Sequence, residues 1–162
     1  MTASETTQEK HTDSQASGNY VRFGIVMAIS LVVMFLLSMS MIRSFDHFYL
    51  NPSNLYMALV MVAPMGLIMM LAMRKMFPNK RLNAVLYAAF VVLFVGAWAL
   101  GRTETLVGNE GFLRSMIPHH SRAILVCQES TITDPEIKSL CDGIVKSQTE
   151  EIRQMQEILE RY

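Results

Sequence analysis

The side chains best suited to chemistry lie in two short segments near the C-terminus. Met116 and His120 are four residues apart, which places them on one face of a helix, with His119 at the flank of that face. Methionine sulfur is a soft ligand and imidazole a borderline one, so the combination suits copper better than calcium or magnesium. A later segment adds three side chains at spacings of three and four residues: Gln148, Glu151 and Met155.

Two predicted helices carry these side chains. The first covers residues 110–129, and the second begins at Pro135 and continues to about residue 161. Asp134 is a typical N-cap, and proline is favoured at the first helical position that follows it. A connection as short as residues 130–133 makes consecutive helices antiparallel neighbours. We therefore expect a helical hairpin in the last third of the chain.

The two cysteines suggest the register of this hairpin. Cys127 and Cys141 lie on the inner faces near the turn, and their residue numbers sum to 268. Facing residues should sum to roughly that value, which places His120 opposite Gln148. Polar groups on a buried face are costly unless they find partners, and a bound metal is one way to provide them. The alternative is that the histidine and methionine side chains simply pack. The candidate ligands are Met116, His119, His120, Gln148, Glu151 and Met155.

The cysteines themselves admit three interpretations. Their mirrored positions about the turn allow a disulfide between Cys127 and Cys141, which would close a loop of about fifteen residues. Two buried thiols packed on the inner faces, or a thiolate metal site, are the alternatives.

The two segments together resemble a known family. Phe112 to Ile124 reads FLRSMIPHHSRAI, and the later helix has glutamine, two residues, glutamate, isoleucine and then methionine. This resembles the signature of the ferritin-like domain-of-unknown-function family 305, over about Glu110 to Arg161. The matching positions are Met116, His119, His120, Ala123, Gln148, Glu151, Ile152 and Met155.

The resemblance implies a helical bundle outside the cytoplasmic membrane. Some family members are linked to copper binding and resistance, which here implicates Met116, His119, His120 and Met155. Many members have a longer, four-helix domain, whereas this chain has a single hairpin, or half of such a bundle. A lone hairpin can hardly bury enough apolar surface to be stable alone. We therefore expect that two copies associate, as a homodimer or higher oligomer, or that the hairpin docks on the membrane helices.

The first two thirds of the chain indicate a membrane protein. Only 17% of the residues are charged, against about a quarter in a typical soluble domain. Three apolar segments of about twenty residues are long enough to cross a bilayer. They are Phe23–Ile42, Leu55–Met73 and Leu82–Gly101. A single soluble domain is thereby excluded, and 14 basic against 14 acidic residues make a nucleic-acid partner unexpected.

The charges of the loops predict the orientation. The loop at residues 74–81 carries four basic residues and no acid, so the positive-inside rule places it in the cytoplasm. The N-terminus is then cytoplasmic, and everything after Gly101 lies in the periplasm or outside the cell. The predicted organisation is a disordered tail (1–21), a three-helix transmembrane domain (22–101), a linker (102–109) and the hairpin (110–162).

Methionines also recur every four residues along the second span, from Met57 to Met73. Adaptable packing between helices is the simpler explanation. A stripe of thioethers that hands copper(I) along the helix is the alternative.

The sequence thus predicts an all-α membrane protein with three transmembrane helices and an extracytoplasmic hairpin. Its predicted function is copper sequestration or delivery, with the lipid bilayer and a copper-handling protein as partners. The alternative is a structural or assembly module whose hairpin docks a protein partner without metal. We expect no enzyme activity, because the di-iron, haem, nucleophile-elbow and phosphate-loop motifs are missing from the sequence.

Overall fold

The chain is helical in the computed structural model, which describes the backbone of residues 3–162 and the side chains of residues 17–162. No strand occurs in this range, as the all-α prediction requires. Short 3-10 turns, Phe45–His47 and Arg74–Met76, lie in the two connections between the apolar helices. The five helices are α1 (Ala3–Ser38), α2 (Pro52–Ala72), α3 (Lys80–Arg102), α4 (Asn109–Glu129) and α5 (Pro135–Leu159).

Three of these helices are long and apolar enough to cross a membrane, which confirms that part of the prediction. The apolar stretches are Ser17–Ser38, Pro52–Ala72 and Lys80–Arg102. The first ends four residues before the predicted Ile42. Ser38 Oγ and Ser40 Oγ donate to the carbonyls of Phe35 and Leu37, and such local bonds compete with continuation of the helix.

The N-terminal tail differs from the expected disordered segment of residues 1–21. α1 already begins at Ala3, so the backbone is helical where the composition predicts disorder. Residues 1–2 lie outside the described range. Nucleation is the costly step in forming a helix, and the apolar part of α1 provides the nucleus. Each residue added after that gains one hydrogen bond in return for its own ordering. A polar composition therefore does not prevent extension.

The chain divides into two compact units, and the first contains residues Met1–Met34 and Ala58–Ala99. Its core is built around Phe23, whose ring meets those of Phe77 and Phe90 edge-on at 5.5 and 5.9 Å between centroids. The Tyr20 hydroxyl donates to Asn83 Oδ1 at 2.7 Å, which satisfies the polar end of a further aromatic side chain. Packing within this unit therefore depends on rings carried by α1, α3 and the segment between α2 and α3.

The methionine stripe of α2 is divided in the structure. Met65, Met69 and Met73 pack against the core of the first unit, as the packing interpretation predicts. Met57 and Met61 are instead 56% and 41% exposed on the surface of the helix. Packing explains three of the five thioethers.

The second unit contains Phe35–Met57 and Leu100–Tyr162. Within it α4 and α5 pack against each other around an apolar core: Leu113, Ile117, Ile124, Ile152 and Met155. The predicted start of α5 is confirmed, because Asp134 Oδ1 accepts from the amides of Glu136 and Ile137 at 2.8 and 3.1 Å. The extracytoplasmic location and the ferritin-like bundle remain predictions.

The segment between α1 and α2 belongs to the same unit and packs on α4. Ser121 is fully buried, and its hydroxyl oxygen accepts from the Arg43 amide at 2.8 Å. It also lies 2.8 Å from His47 Nδ1, so the hydroxyl can donate to a neutral His47 ring. Tyr49 packs against the core of the α4–α5 pair. Contacts with this segment therefore bury a part of α4 that packing against α5 alone would leave exposed.

Candidate metal site

Three of the candidate ligands lie on α4, and they differ in their exposure. His120 is buried, at 9% exposure, whereas Met116 is half-buried and His119 is exposed. Pro118 lies between them inside the helix and has no amide hydrogen to donate to the Arg114 carbonyl. Successive helical residues differ by about 100° in direction, so His119 and His120 occupy different sides of α4.

His120 faces α5 without a satisfactory hydrogen-bond partner. Its Nδ1 lies 3.0 Å from Glu151 Oε2, yet this contact is not aligned as a hydrogen bond. Gln148 Oε1, one turn before Glu151 on α5, is also buried without a partner. A buried polar atom left unpaired costs about 1–3 kcal/mol, and here two of them are carried by the facing helices.

Burial also determines the charge state of His120. Removal from water lowers the pKa of His120 below its ordinary value of 6.5, the nearby Glu151 carboxylate opposes this effect, and His119 reinforces it. The ring is therefore neutral at pH 7 and keeps a lone pair for a ligand. Burial likewise lowers the pKa of His47. The negative charge of Asp46 opposes this decrease, and the positive charge of Arg43 adds to it.

Lowering the pH through 6.5 should destabilise the metal-free protein. Because the pKa values of His47 and His120 are lower in the folded protein than in the unfolded chain, the unfolded chain takes up these protons first. The stability contributed by the neutral rings is complete above pH 6.5 and is lost as the pH falls toward the folded pKa values. Thermal unfolding in detergent between about pH 5 and 8 measures this loss.

The variant with both His47→Gln and His120→Leu is the control for this effect. It lacks the two titrating rings, so its melting temperature should vary less across the same range. A wild-type protein that becomes more stable on acidification would contradict the prediction.

The structure divides the candidate ligands into two groups. His120, Gln148 and Glu151 lie where α4 faces α5, and Met155 belongs to the core of the same pair. His119 instead lines a cavity on the other side of α4. Met116 belongs to both groups, because it packs against the α4–α5 core and also lines that cavity.

Two further methionines line this cavity, and neither was among the predicted ligands. Met39 and Met41 follow the last residue of α1 and lie in the cavity wall with Met116 and His119. Their presence in the motif Ser-Met-Ser-Met, just after an apolar span, was the available signal. Only the fold brings them to α4, which begins about seventy residues later in the chain.

Classical hard-metal or zinc sites do not occur in the described part of the chain. No group of three or more His, Cys, Asp and Glu side chains is arranged there to hold a metal ion. Among the other side chains here, thioether sulfur is the ligand type that favours a soft ion.

The structure joins Cys127 and Cys141 in a disulfide, the first of the three alternatives. Their Cα atoms are 5.4 Å apart, within the usual range for this bond. The disulfide connects α4 to α5 next to the turn and is consistent with the predicted register of the pair.

Comparison with known proteins supports the resemblance noted from the residues. Residues 99–159 match the family described as a domain of unknown function (DUF305). The uncharacterized protein L153 of Acanthamoeba polyphaga mimivirus is 28% identical over 139 residues, which is 84% of this chain and 90% of that protein. That similarity therefore reaches into the membrane helices, beyond the family match. No solved structure gives a significant match.

Proposed function

We propose that the C-terminal DUF305 domain of this membrane protein binds a soft metal ion, with copper(I) the best candidate, and sequesters or delivers it. One observation carries the proposal. His120 Nδ1 and Gln148 Oε1 are buried without hydrogen-bond partners on facing helices. An imidazole nitrogen and an amide oxygen are both able to ligate a metal, and ligation would offset the cost of their burial.

The surroundings of these atoms favour a soft ion. Met155 is buried in the apolar core of the same helix pair, and the half-buried Met116 packs against that core. Bound copper(I) would accept lone pairs from thioether and imidazole groups, and burial keeps the imidazole neutral for this purpose. Glu151 either ligates the ion or orients the His120 ring. The proposed ligand set is Met116, His120, Gln148, Glu151 and Met155, whereas His119, predicted together with them, lines the cavity on the other side of α4.

We further propose that the domain functions outside the cytoplasm, attached to the cytoplasmic membrane by three spans. The disulfide between Cys127 and Cys141 supports this location, since such bonds persist in oxidising compartments. The basic loop at residues 74–81 supports a cytoplasmic N-terminus. The protein acts as a binding protein rather than an enzyme, and it passes copper to or from a copper-handling partner.

Metal analysis of the full-length protein in detergent tests this function. The protein is exposed separately to copper(I) under reducing but thiol-free conditions, to zinc and to iron, and is then separated from free metal. We expect stoichiometric copper and little zinc or iron. A protein that retains no tightly bound metal under any of these conditions would refute the proposal.

A second function has one observation in its favour. Val126, Ile137 and Leu140 are 54%, 49% and 62% exposed near the turn between α4 and α5. Exposed apolar side chains grouped in this way are typical of a docking surface. They suit a structural or assembly role, or a second copy that completes a four-helix bundle. A wild-type protein without tight metal would favour this alternative.

A further inference from the structure

A cavity of about 360 Å³ lies within the second unit, between α4 and the segment that follows α1. Three thioethers and one imidazole line it: Met39, Met41, Met116 and His119. Met39 and Met41 lie outside residues 99–159, so the matched domain alone does not contain this combination. Thioether sulfur and imidazole nitrogen are the ligand types that suit soft and borderline metal ions.

The methionines differ in how firmly they are held. Met39 is 1% exposed, and its sulfur lies 3.8 Å from the amide nitrogen of Asn51, which also caps α2 by accepting from the Asn54 amide. Met41 is 59% exposed and is free to change rotamer. Met39 therefore forms a fixed wall of the cavity, whereas Met41 is an accessible donor.

The charges around the cavity disfavour a hard divalent cation. Glu104 and Arg122 both line it, so a single carboxylate is offset by a single guanidinium. The Glu104 carboxylate also accepts from Ser53 Oγ at 2.6 Å, and Glu104 has the unusual backbone angle φ of 47°. A carboxylate so engaged is a poor candidate for calcium or magnesium, which need several oxygen ligands. Neutral thioether and imidazole ligands suffice for a soft monovalent ion.

We infer that this cavity is a second binding site for a soft monovalent cation, with Met41, Met116 and His119 as its ligands. Because Met116 also packs against the α4–α5 core, the cavity site adjoins the first one. The statement that the cavity site adjoins another metal site rests on the proposed function. Binding of an ion in the cavity does not depend on that function. The site combines Met41, from the segment between α1 and α2, with Met116 and His119 of α4.

Silver(I) is the appropriate probe, since it is soft, monovalent and inert to oxidation. The full-length protein is labelled with ¹³C at the methionine methyl groups and titrated with silver(I) in detergent micelles. We expect the methyl signals of Met41 and Met116 to shift on binding. Met57 is the matched control, because it belongs to the same unit, is 56% exposed and does not line the cavity.

Two substitutions make the test quantitative. Met41→Leu conserves volume at an exposed position, so folding is not at risk, and it should weaken silver binding in the cavity at least about tenfold. Met57→Leu should leave that affinity unchanged. Equal effects of the two substitutions, or none from either, would overturn the inference.

The same spectra separate this inference from the proposed function. A shift of Met155 without any shift of Met41 would overturn the cavity site and leave the α4–α5 site in place. A shift of Met41 that persists in the His120→Leu protein, with Met155 unaffected by silver throughout, would support the cavity site and count against the first site. If silver(I) shifts neither the Met41 signal nor the Met155 signal, both the cavity site and the α4–α5 site are rejected.

Discussion

Replacing His120 with leucine should abolish tight copper(I) binding at the α4–α5 site and, at the same time, raise the melting temperature of the metal-free protein. The ring is 9% exposed, and its Nδ1 lies 3.0 Å from Glu151 Oε2 without the alignment of a hydrogen bond. Leucine removes this unpaired atom and keeps the site apolar. The metal-free protein should gain about 1 kcal/mol, or roughly 2–4 °C in melting temperature.

The loss of metal should be much larger than this gain. Even residues that only orient a ligand typically contribute 10–100-fold to metal affinity, so removing a ligand should cost at least about 100-fold. In the wild type a saturating metal raises the melting temperature, because it binds only the folded protein. In His120→Leu the part of this rise that comes from the α4–α5 site should vanish, so that the stability order of the two proteins reverses when copper(I) is added.

Differential scanning fluorimetry with and without copper(I), together with a competition titration against a chromogenic chelator, measures both effects. Gln128→Leu is the matched control, since Gln128 is an exposed residue of the same helix. An unchanged copper affinity in His120→Leu would remove this histidine from the site. A large fall in the melting temperature of the metal-free variant would mean that the ring has a stabilising partner after all.

The start of α5 and the pairing of the two cysteines could be predicted from the sequence because their determinants are local. The Asp134–Pro135 start of α5, the short connection and the mirrored cysteines fix the register within a few residues. His120 was expected opposite Gln148, and its Nδ1 lies 3.0 Å from Oε2 of Glu151, one turn away on the same face of α5. Such an offset is within the uncertainty of an arithmetic based on two cysteines.

The division of the candidate ligands was harder to foresee. His119 and His120 are adjacent, so a single helix cannot direct both toward α5, and the exposed His119 turns to the cavity. What the sequence could not indicate was the surface that His119 would meet. Contacts such as that of Ser121 with Arg43 join residues 78 positions apart, and no local pattern encodes them. Met39 and Met41 reach α4 through the same packing.

Removing the disulfide should cost about 3 kcal/mol of stability, because it closes a loop of about fifteen residues in the unfolded chain. In the double variant Cys127→Ser with Cys141→Ser the melting temperature should fall by roughly 6–12 °C, on the usual 2–4 °C per kcal/mol for a chain of this size. Ser147→Ala, which alters one exposed hydroxyl on α5, is the control and should change little.

The effect should also be confined in space, which distinguishes a disulfide that only secures the turn from one that forms the metal site. Ile117, Ile124 and Ile152 are at most 3% exposed and hold the two helices together independently of the cysteines. Hydrogen exchange should therefore increase in the double variant around residues 125–145, while protection near His120 persists. Copper(I) affinity should change by less than about tenfold, since the ligands lie on the protected face. Loss of protection along the whole of both helices would instead mean that the apolar core cannot maintain the register, and that metal binding depends on the oxidised state of the protein.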